Sequence, residues 1–415
     1  MSQPKCPVSQ LGAAFDAFDL SNPFPLLKEA RATEAVFFNE QIDYWIVTRY
    51  EDIKAVFQDH DSFTAENTIT PIVPFPEQVK IMLSEGNYTP VPVLSNNVPP
   101  SHTRIRRLVN KLFLPRRMRH FEPAIRQLVH DSIDSFIEQG SVDIVDAMTY
   151  ELPAQVLFHV LGVPDEDVPQ VKIWAGNRIK LFYGRPTEKE QIELTKYLVP
   201  FWHYVVALVE SKLDNPPDDL TGDLIKMRNG DDDILTVNEI ASCMITLLVA
   251  GHETTTAQIT NGLLHFLDER EQWETLCAQP ELIPNAIEEM MRYDPSVNTW
   301  RRKVRKATTI AGVNIPEGAN LLLMLNSANR DESIFPEPDK INVTRTNLKE
   351  HLALGYGIHY CVGAPLARVE MVAVFEALTE RLPSLRLGIN DTLEYVPNIS
   401  FRGPLRLNVA WDEKI

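Results

Sequence analysis

The chain has 415 residues, 44% of them hydrophobic, enough for one large domain or two to three average ones. Its 40 basic and 57 acidic residues leave a net charge of −17, which argues against nucleic acid or an anionic membrane as partner. Its four cysteines (Cys6, Cys243, Cys277, Cys361) form no C-x-x-C pair and read as reduced thiols; with no leader-like start and no long apolar run, the expectation is a cytoplasmic protein without membrane spans.

Residues 35–47 hold Val-Phe-Phe and Tyr-Trp-Ile-Val around a polar Asn-Glu-Gln turn, which predicts a β-hairpin, and Tyr50 to Asp59 follows as a helix. Residues 65–100 carry Pro71, Pro74, Pro76, Pro90, Pro92, Pro99 and Pro100, predicting a long irregular excursion, either a functional lid or a plain structural loop. Helices dominate from Ser101. His102 to Phe113 is basic and amphipathic, with His102 and Arg106 on one face and Arg104, Arg107 and Lys111 on another. Further helices are expected over 123–139, 152–161, 168–182 and 187–213, with a break at Asn215-Pro-Pro-Asp-Asp. No flexible linker divides the chain, so residues 1–415 are expected to form a single domain.

Thr236-Val-Asn-Glu239 is a capping box opening a helix expected to reach about Leu267, roughly 45 Å at 1.5 Å per residue. Its centre reads Ala250-Gly-His-Glu-Thr-Thr. Polar groups there are costly between apolar flanks, so they point to function. Gly251 should admit a bulky group, and Thr254 can bond back to a carbonyl one turn earlier. A helix over 281–293 carries Glu289 and Arg292 at i, i+3; such pairs are usually exposed, but here an internal ion pair is expected. Short strands are predicted over 306–313 and 315–324, a loop-rich passage over 329–351, and a closing strand or hairpin over 399–411.

The most informative stretch runs from Leu354 to Arg368. Gly355 and Gly357 permit positive φ and close approach to a flat partner. Cys361 precedes a helix over 364–381, marked by Leu366, Val369, Val372, Ala373 and Leu378. Free N–H groups at that helix start favour a thiolate, a good ligand for a soft metal and one known axial ligand of haem iron.

The pattern Gly355-x-Gly357-x-His359-x-Cys361-x-Gly363 resembles the haem-binding loop of the cytochrome P450 superfamily. So do Glu289…Arg292, Ala250-Gly-His-Glu-Thr-Thr, Asn329-Arg-Asp…Phe335-Pro-Glu-Pro-Asp, Tyr44-Trp-Ile-Val-Thr-Arg-Tyr-Glu-Asp-Ile and His102-Thr-Arg-Ile-Arg-Arg-Leu-Val, in the family's order. The resemblance covers nearly the whole chain and looks like the soluble bacterial branch. It implies a mainly α fold with a small β-rich lobe and a long central helix over the haem.

By the same resemblance, Cys361 is the axial ligand to the iron of haem b. Ala250, Leu354, Gly355 and Gly363 lie against the haem, and His102, Arg106, Arg302 and His359 serve its propionates. Glu253 and Thr254 are the acid–alcohol pair that delivers protons on the distal side, and Glu289 and Arg292 brace the cysteine loop. The substrate walls would come from Phe75, Leu94, Phe182, Val249, Ala250, Val297, Asn298, Ile399 and Phe401. These carry no fixed charge, so a neutral apolar substrate is expected. The implied activity is a haem-thiolate monooxygenase that hydroxylates or dealkylates an apolar small molecule with O2. A peroxide-driven peroxygenase and a non-catalytic ligand sensor are alternatives that have less need of Glu253 and Thr254.

Two departures stand out. Leu354 replaces the family's usual phenylalanine, and Lys340 and Ile341 replace an arginine and an aromatic, weakening an expected third arm of the Glu289–Arg292 network. No flavin, nicotinamide or iron–sulfur motif is present, so electrons must come from a reductase or ferredoxin, separate or fused. The Pro4-Lys-Cys-Pro-Val-Ser start resembles reductase-fused enzymes. Arg104, Arg107, Lys111, Arg116, Arg117 and Arg119 form the basic cluster where such a donor would dock.

Overall fold

The computed structural model describes residues 9–389 and 392–412. The Pro4–Ser9 motif lies almost wholly outside them, so the resemblance read from it has no structural counterpart here.

The hairpin forms as expected. Val36–Asn39 pairs antiparallel with Tyr44–Val47, Val36 opposite Val47. It opens a five-stranded sheet in the order Val36–Asn39, Tyr44–Val47, Asn320–Met324, Thr299–Val304, Phe63–Thr64. Tyr44–Val47 runs parallel to Asn320–Met324, and every other pairing is antiparallel. The strand Thr299–Val304 was not predicted. Its Arg301 and Arg302 are almost fully buried, and two adjacent arginines break the pattern by which a strand is recognised. Thr308–Ile310 and Val313–Ile315 make a small hairpin of their own.

The proline-rich excursion is not irregular throughout. Glu77–Glu85 is a helix, because Pro76 can precede a first turn and no proline interrupts the sequence before Pro90. The helix expected from Pro123 begins at Pro115 instead and carries Pro123 inside it, ending at Phe136. The closing hairpin shrinks to the strand Asn408–Ala410 and two isolated bridges, Val297 to Phe401 and Tyr395 to Pro404.

Val237–Asp268 is the longest helix among the described residues: 32 residues, about 48 Å at 1.5 Å per residue. Its capping box closes in both directions, Glu239 N donating to Thr236 Oγ1 at 3.0 Å and Thr236 N to Glu239 Oε2 at 2.9 Å. Most of its residues are buried in the main helical core. The Gly251 expectation changes. A Cβ there would sit 2.6 Å from Leu157 Cδ2, so this glycine admits the helix Leu152–Leu161. The helix Ala364–Arg381 has the predicted bounds. No helix of the described residues is long and apolar enough to cross a membrane.

Candidate functional site

Backbone conformation sets the cysteine loop. Gly355 and Gly357 take φ of 71° and 70°, where a side chain would be strained, and Gly357 passes so close to Phe57 that a Cβ would lie 3.0 Å from its carbonyl oxygen. Cys361 N donates to Leu354 O at 2.8 Å, which closes the loop. The backbone N–H groups of Gly363 and Ala364 point at the Cys361 sulfur, with Arg106 and Arg368 nearby. Burial nevertheless pushes the thiol pKa up, outweighing those donors. The helix start alone therefore does not hold a thiolate; the donor set suits a sulfur that also has a cation on its open side. Cys361 keeps exposed surface, as does Ala250 midway along the otherwise buried long helix, so each borders open space.

Beside the loop lies a nest of basic side chains. The His102 and His359 rings are 4.2 Å apart between centroids. Arg302 sits over the Phe57 ring at 5.0 Å. Both ring nitrogens of His102, Nδ1 of His359 and Nη2 of Arg302 are buried without a hydrogen-bond partner. Burial, with Arg106 and Arg302, drives His102 down to about 4, and burial alone lowers Arg302 to about 9. No ion pair with a carboxylate answers His102, Arg302 or His359 among the described residues. Buried donors seldom stay unpartnered, so the nest fits a ligand carrying two carboxylates, as haem propionates do. Arg106 stands apart: its guanidinium is held by Asn110 Oδ1 at 2.6 Å and the Tyr360 carbonyl.

A braced network supports this assembly. Arg292 grips Glu289 with two bonds, 2.6 and 2.8 Å, and both residues are fully buried. Arg292 also donates to the carbonyls of Asn329, Pro338 and Lys340. The third arm is present after all. Arg345, five residues beyond Lys340, reaches Glu289 Oε1 at 3.3 Å, so the lysine substitution does not open the network. Separately, Glu288 accepts from Arg368 at 2.6 and 2.9 Å and meets His351 Nε2 at 3.1 Å, clamping the chain on both sides of the cysteine loop. Sequence reading missed Glu288, His351 and Arg345, because none belongs to a short motif.

The comparisons agree with this geometry. The family model for cytochrome P450 matches residues 36–382. Mycinamicin IV hydroxylase/epoxidase of Micromonospora griseorubida is 37% identical over 373 residues, 88% of this chain and 89% of that protein. Cytochrome P450 CREJ in complex with (4-ethylphenyl) dihydrogen phosphate superposes with a TM-score of 0.94 at 38% identity, covering 97% of this chain and all of that one.

The chain belongs to the cytochrome P450 family.

It is therefore a haem b monooxygenase, oxidising an apolar small molecule with O2 and electrons from a redox partner. A type IV self-sufficient P450 monooxygenase also superposes at 0.94 with 38% identity; this P450 spans 98% of its own length but 54% of that chain.

The remaining site residues separate. Thr254 Oγ1 donates to Ala250 O at 2.7 Å, the predicted back-bond. Glu253, about 100° round the helix from Thr254, lines a cavity of about 560 Å³ with Tyr150, Lys172, Gly176 and Lys180. Burial opposes its charge, but His252, Lys172 and Lys180 win and hold its pKa below the usual carboxylate value. Phe75 and Phe182 meet edge to face at 5.7 Å, Leu94 and Val249 are buried, and Val297 bridges Phe401. Asn298 is buried, with both side-chain polar atoms unpartnered. Two wall assignments fit poorly. Ile399 has no exposed surface and packs in a core with Phe15, Leu27 and Met324, and Phe401 lines the cavity beyond the long helix. The basic cluster also thins: Arg104 is bound to Glu239 at 2.5 Å and to Ile234 O, and Arg117 to Asp223.

Arg368 and His351 lower the Glu288 pKa from its ordinary 4.5 to about 2 against the opposing effect of burial. A depressed acid stabilises the fold above its unfolded pKa, and that stability is lost as pH falls from about 4.5 towards 2. Glu288→Gln should therefore lower the stability at pH 6 and flatten its fall between pH 5 and 3 by up to one proton. Urea unfolding across that range tests this, and identical slopes for parent and variant would refute it.

Proposed function

We propose that residues 1–415 form one haem domain in which Cys361 is the axial ligand, His102, Arg302 and His359 serve the propionates, and Arg106 supports the loop from the Tyr360 side. The unpartnered buried donors beside Cys361 carry this reading. Haem supplies the oxygen-activating redox chemistry when bound; everything else is done by the chain. Leu354, Gly355, Gly363 and Ala250 leave room for a flat ring. The Glu289–Arg292–Arg345 network holds the loop that presents the sulfur, so that the ligand position is set before the cofactor arrives.

Thr254 holds a proton at its hydroxyl on the inner side of the long helix. Glu253, kept ionised by His252, Lys172 and Lys180, takes protons from the outer cavity and returns to that supply after each transfer. This relay favours the monooxygenase over the peroxygenase and sensor readings, which have less use for it. Phe75, Leu94, Phe182, Val249, Ala250, Val297 and Asn298 orient an apolar body and exclude water, with Ile399 and Phe401 supporting them from behind. The ligand bound to CREJ pairs such an apolar ring with a phosphate. Work in the cytoplasm belongs to this reading. Electrons come from a reductase or ferredoxin, separate or fused, docking on the exposed Arg107, Lys111, Arg116 and Arg119.

Cys361→Ala should abolish the thiolate-type Soret band of the reduced carbonyl complex. Cys243 and Cys277 lie in helices elsewhere, so a retained band would end the assignment. Thr254→Ala should keep haem and substrate binding but divert electrons from product to hydrogen peroxide, read as product formed per electron consumed. Unchanged coupling would remove Thr254 from the relay. Charge reversal at Arg107 or Lys111 should slow first-electron transfer from a protein donor, most at low ionic strength, while peroxide-driven turnover stays the same. Equal rates and equal salt slopes would rule out docking there.

A further inference from the structure

A second concave surface lies outside the haem-side pocket. It is a groove of about 790 Å³ formed where the turn Gly184–Thr187, between the helices Val168–Tyr183 and Glu188–Ser211, meets Val396, Pro397 and Phe18. Its charges are unbalanced in a specific way. The acids are engaged: Glu190 Oε2 accepts from the Thr187 backbone and hydroxyl at 2.7 and 2.8 Å, and Glu193 takes two contacts of 2.7 Å from Lys196. The cations are not. Arg185 and Lys189 line the groove, and among the described residues no ion pair holds either of them. Arg185 is steadied by the Phe18 ring, its guanidinium 4.7 Å from the centroid, so its charge is positioned without being neutralised. Two such cations facing one hollow are unexpected on a chain with a net charge of −17.

The groove and the substrate wall share their backbone. Gly184 directly follows Phe182 and Tyr183. Ile399 N donates to Tyr183 O at 3.0 Å, tying the turn to the segment that contains Val396 and Pro397. A Cβ on Gly184 would lie 2.5 Å from Lys180 O and 3.6 Å from Pro397 O, so the strands of chain here are in close contact. Phe182, packed on Phe75, lies two residues before the Gly184 that lines the groove.

Resting on the apolar-substrate reading above, we propose that this groove anchors the anionic head of an amphiphilic substrate, a carboxylate or phosphate monoester whose apolar body extends to the Phe75–Phe182 side. The pocket walls need no buried charge, because the charge remains at the solvent-facing mouth, where its desolvation cost is small. The groove fits one anionic group and not an acidic protein surface: Glu188, Glu190 and Glu193 are exposed on the adjoining helix and would repel an extended negative face.

The test uses the full, haem-loaded chain and calorimetric titration with dodecanoate, dodecyl phosphate and dodecan-1-ol. The parent should bind one or both anions about tenfold tighter than the alcohol at low ionic strength, in line with a few partly exposed charge contacts. The double variant Arg185→Gln/Lys189→Gln should weaken the anions about three- to tenfold and leave the alcohol unchanged. High salt should close the gap between parent and variant. Preference for carboxylate or for phosphate identifies the head. A parent with no preference for either anion, a variant that loses the alcohol equally, a gap that ignores salt, or binding only when an acyl chain arrives on an acidic carrier protein would each overturn the proposal. Both side chains are at the surface, so folding is not at stake. An intact reduced-carbonyl Soret band in the variants separates failure here from failure of the haem assignment.

Discussion

Four basic side chains gathered around one cysteine loop set the terms for the rest of the structure. His102, Arg106, Arg302 and His359 come from three distant parts of the chain, and burial, joined at the two histidines by the neighbouring arginines, depresses their proton affinities. A fold that buries basic nitrogens without partners is destabilised locally, unless an anion completes it. The donors aimed at Cys361 present the same incomplete arrangement at the sulfur, where burial outweighs them. Both are answered by one ligand that carries a metal cation at its centre and two carboxylates at its edge. Haem b meets that description.

Holding such a nest requires rigid neighbours. The buried pair Glu289–Arg292 provides them because every strong acceptor and donor in it is used: Glu289 takes Arg292, Arg345 and the Asn342 N–H, and Arg292 ties down three carbonyls of the loop passage. Removing one partner from a buried pair costs roughly 3–5 kcal/mol, because the other charge is left unanswered. The Glu288 clamp and the Asn329 side chain, whose Oδ1 accepts from Leu352 N at 2.6 Å, extend the bracing to the residues just before the cysteine loop. Loops dominate this passage, yet side-chain-to-backbone bonds give it definition that secondary structure does not supply.

The long helix divides the molecule's chemistry. Thr254 bonds back to Ala250 at 2.7 Å, while Glu253, the next residue, faces a separate cavity shared with Lys172 and Lys180. A helix places consecutive residues about 100° apart, so two neighbours in sequence open on different spaces. Glu253 and Thr254 are thus adjacent in sequence but differ in surroundings, Glu253 lining the cavity and Thr254 bonded back to its own helix.

Local sequence determined the cysteine loop, the capping box of the long helix and the hairpin at 36–47, because each depends on residues a few positions apart: positive φ at Gly355 and Gly357, a Thr–Glu box, and alternating apolar residues around a polar turn. It also determined the Glu289–Arg292 pair, since i, i+3 side chains meet on any helix. Only the tertiary structure decided that Arg345 completes that pair, that Arg104 serves Glu239 instead of a docking face, and that Glu253 looks away from Thr254's side. Those outcomes depend on which distant segment packs alongside. The strand Thr299–Val304 shows the same limit. Its arginines look like a solvent-facing run in sequence, and become buried because distant segments cover them: Arg301 donates to the Thr68 and Thr70 carbonyls and lies over Tyr183, and Arg302 lies over Phe57.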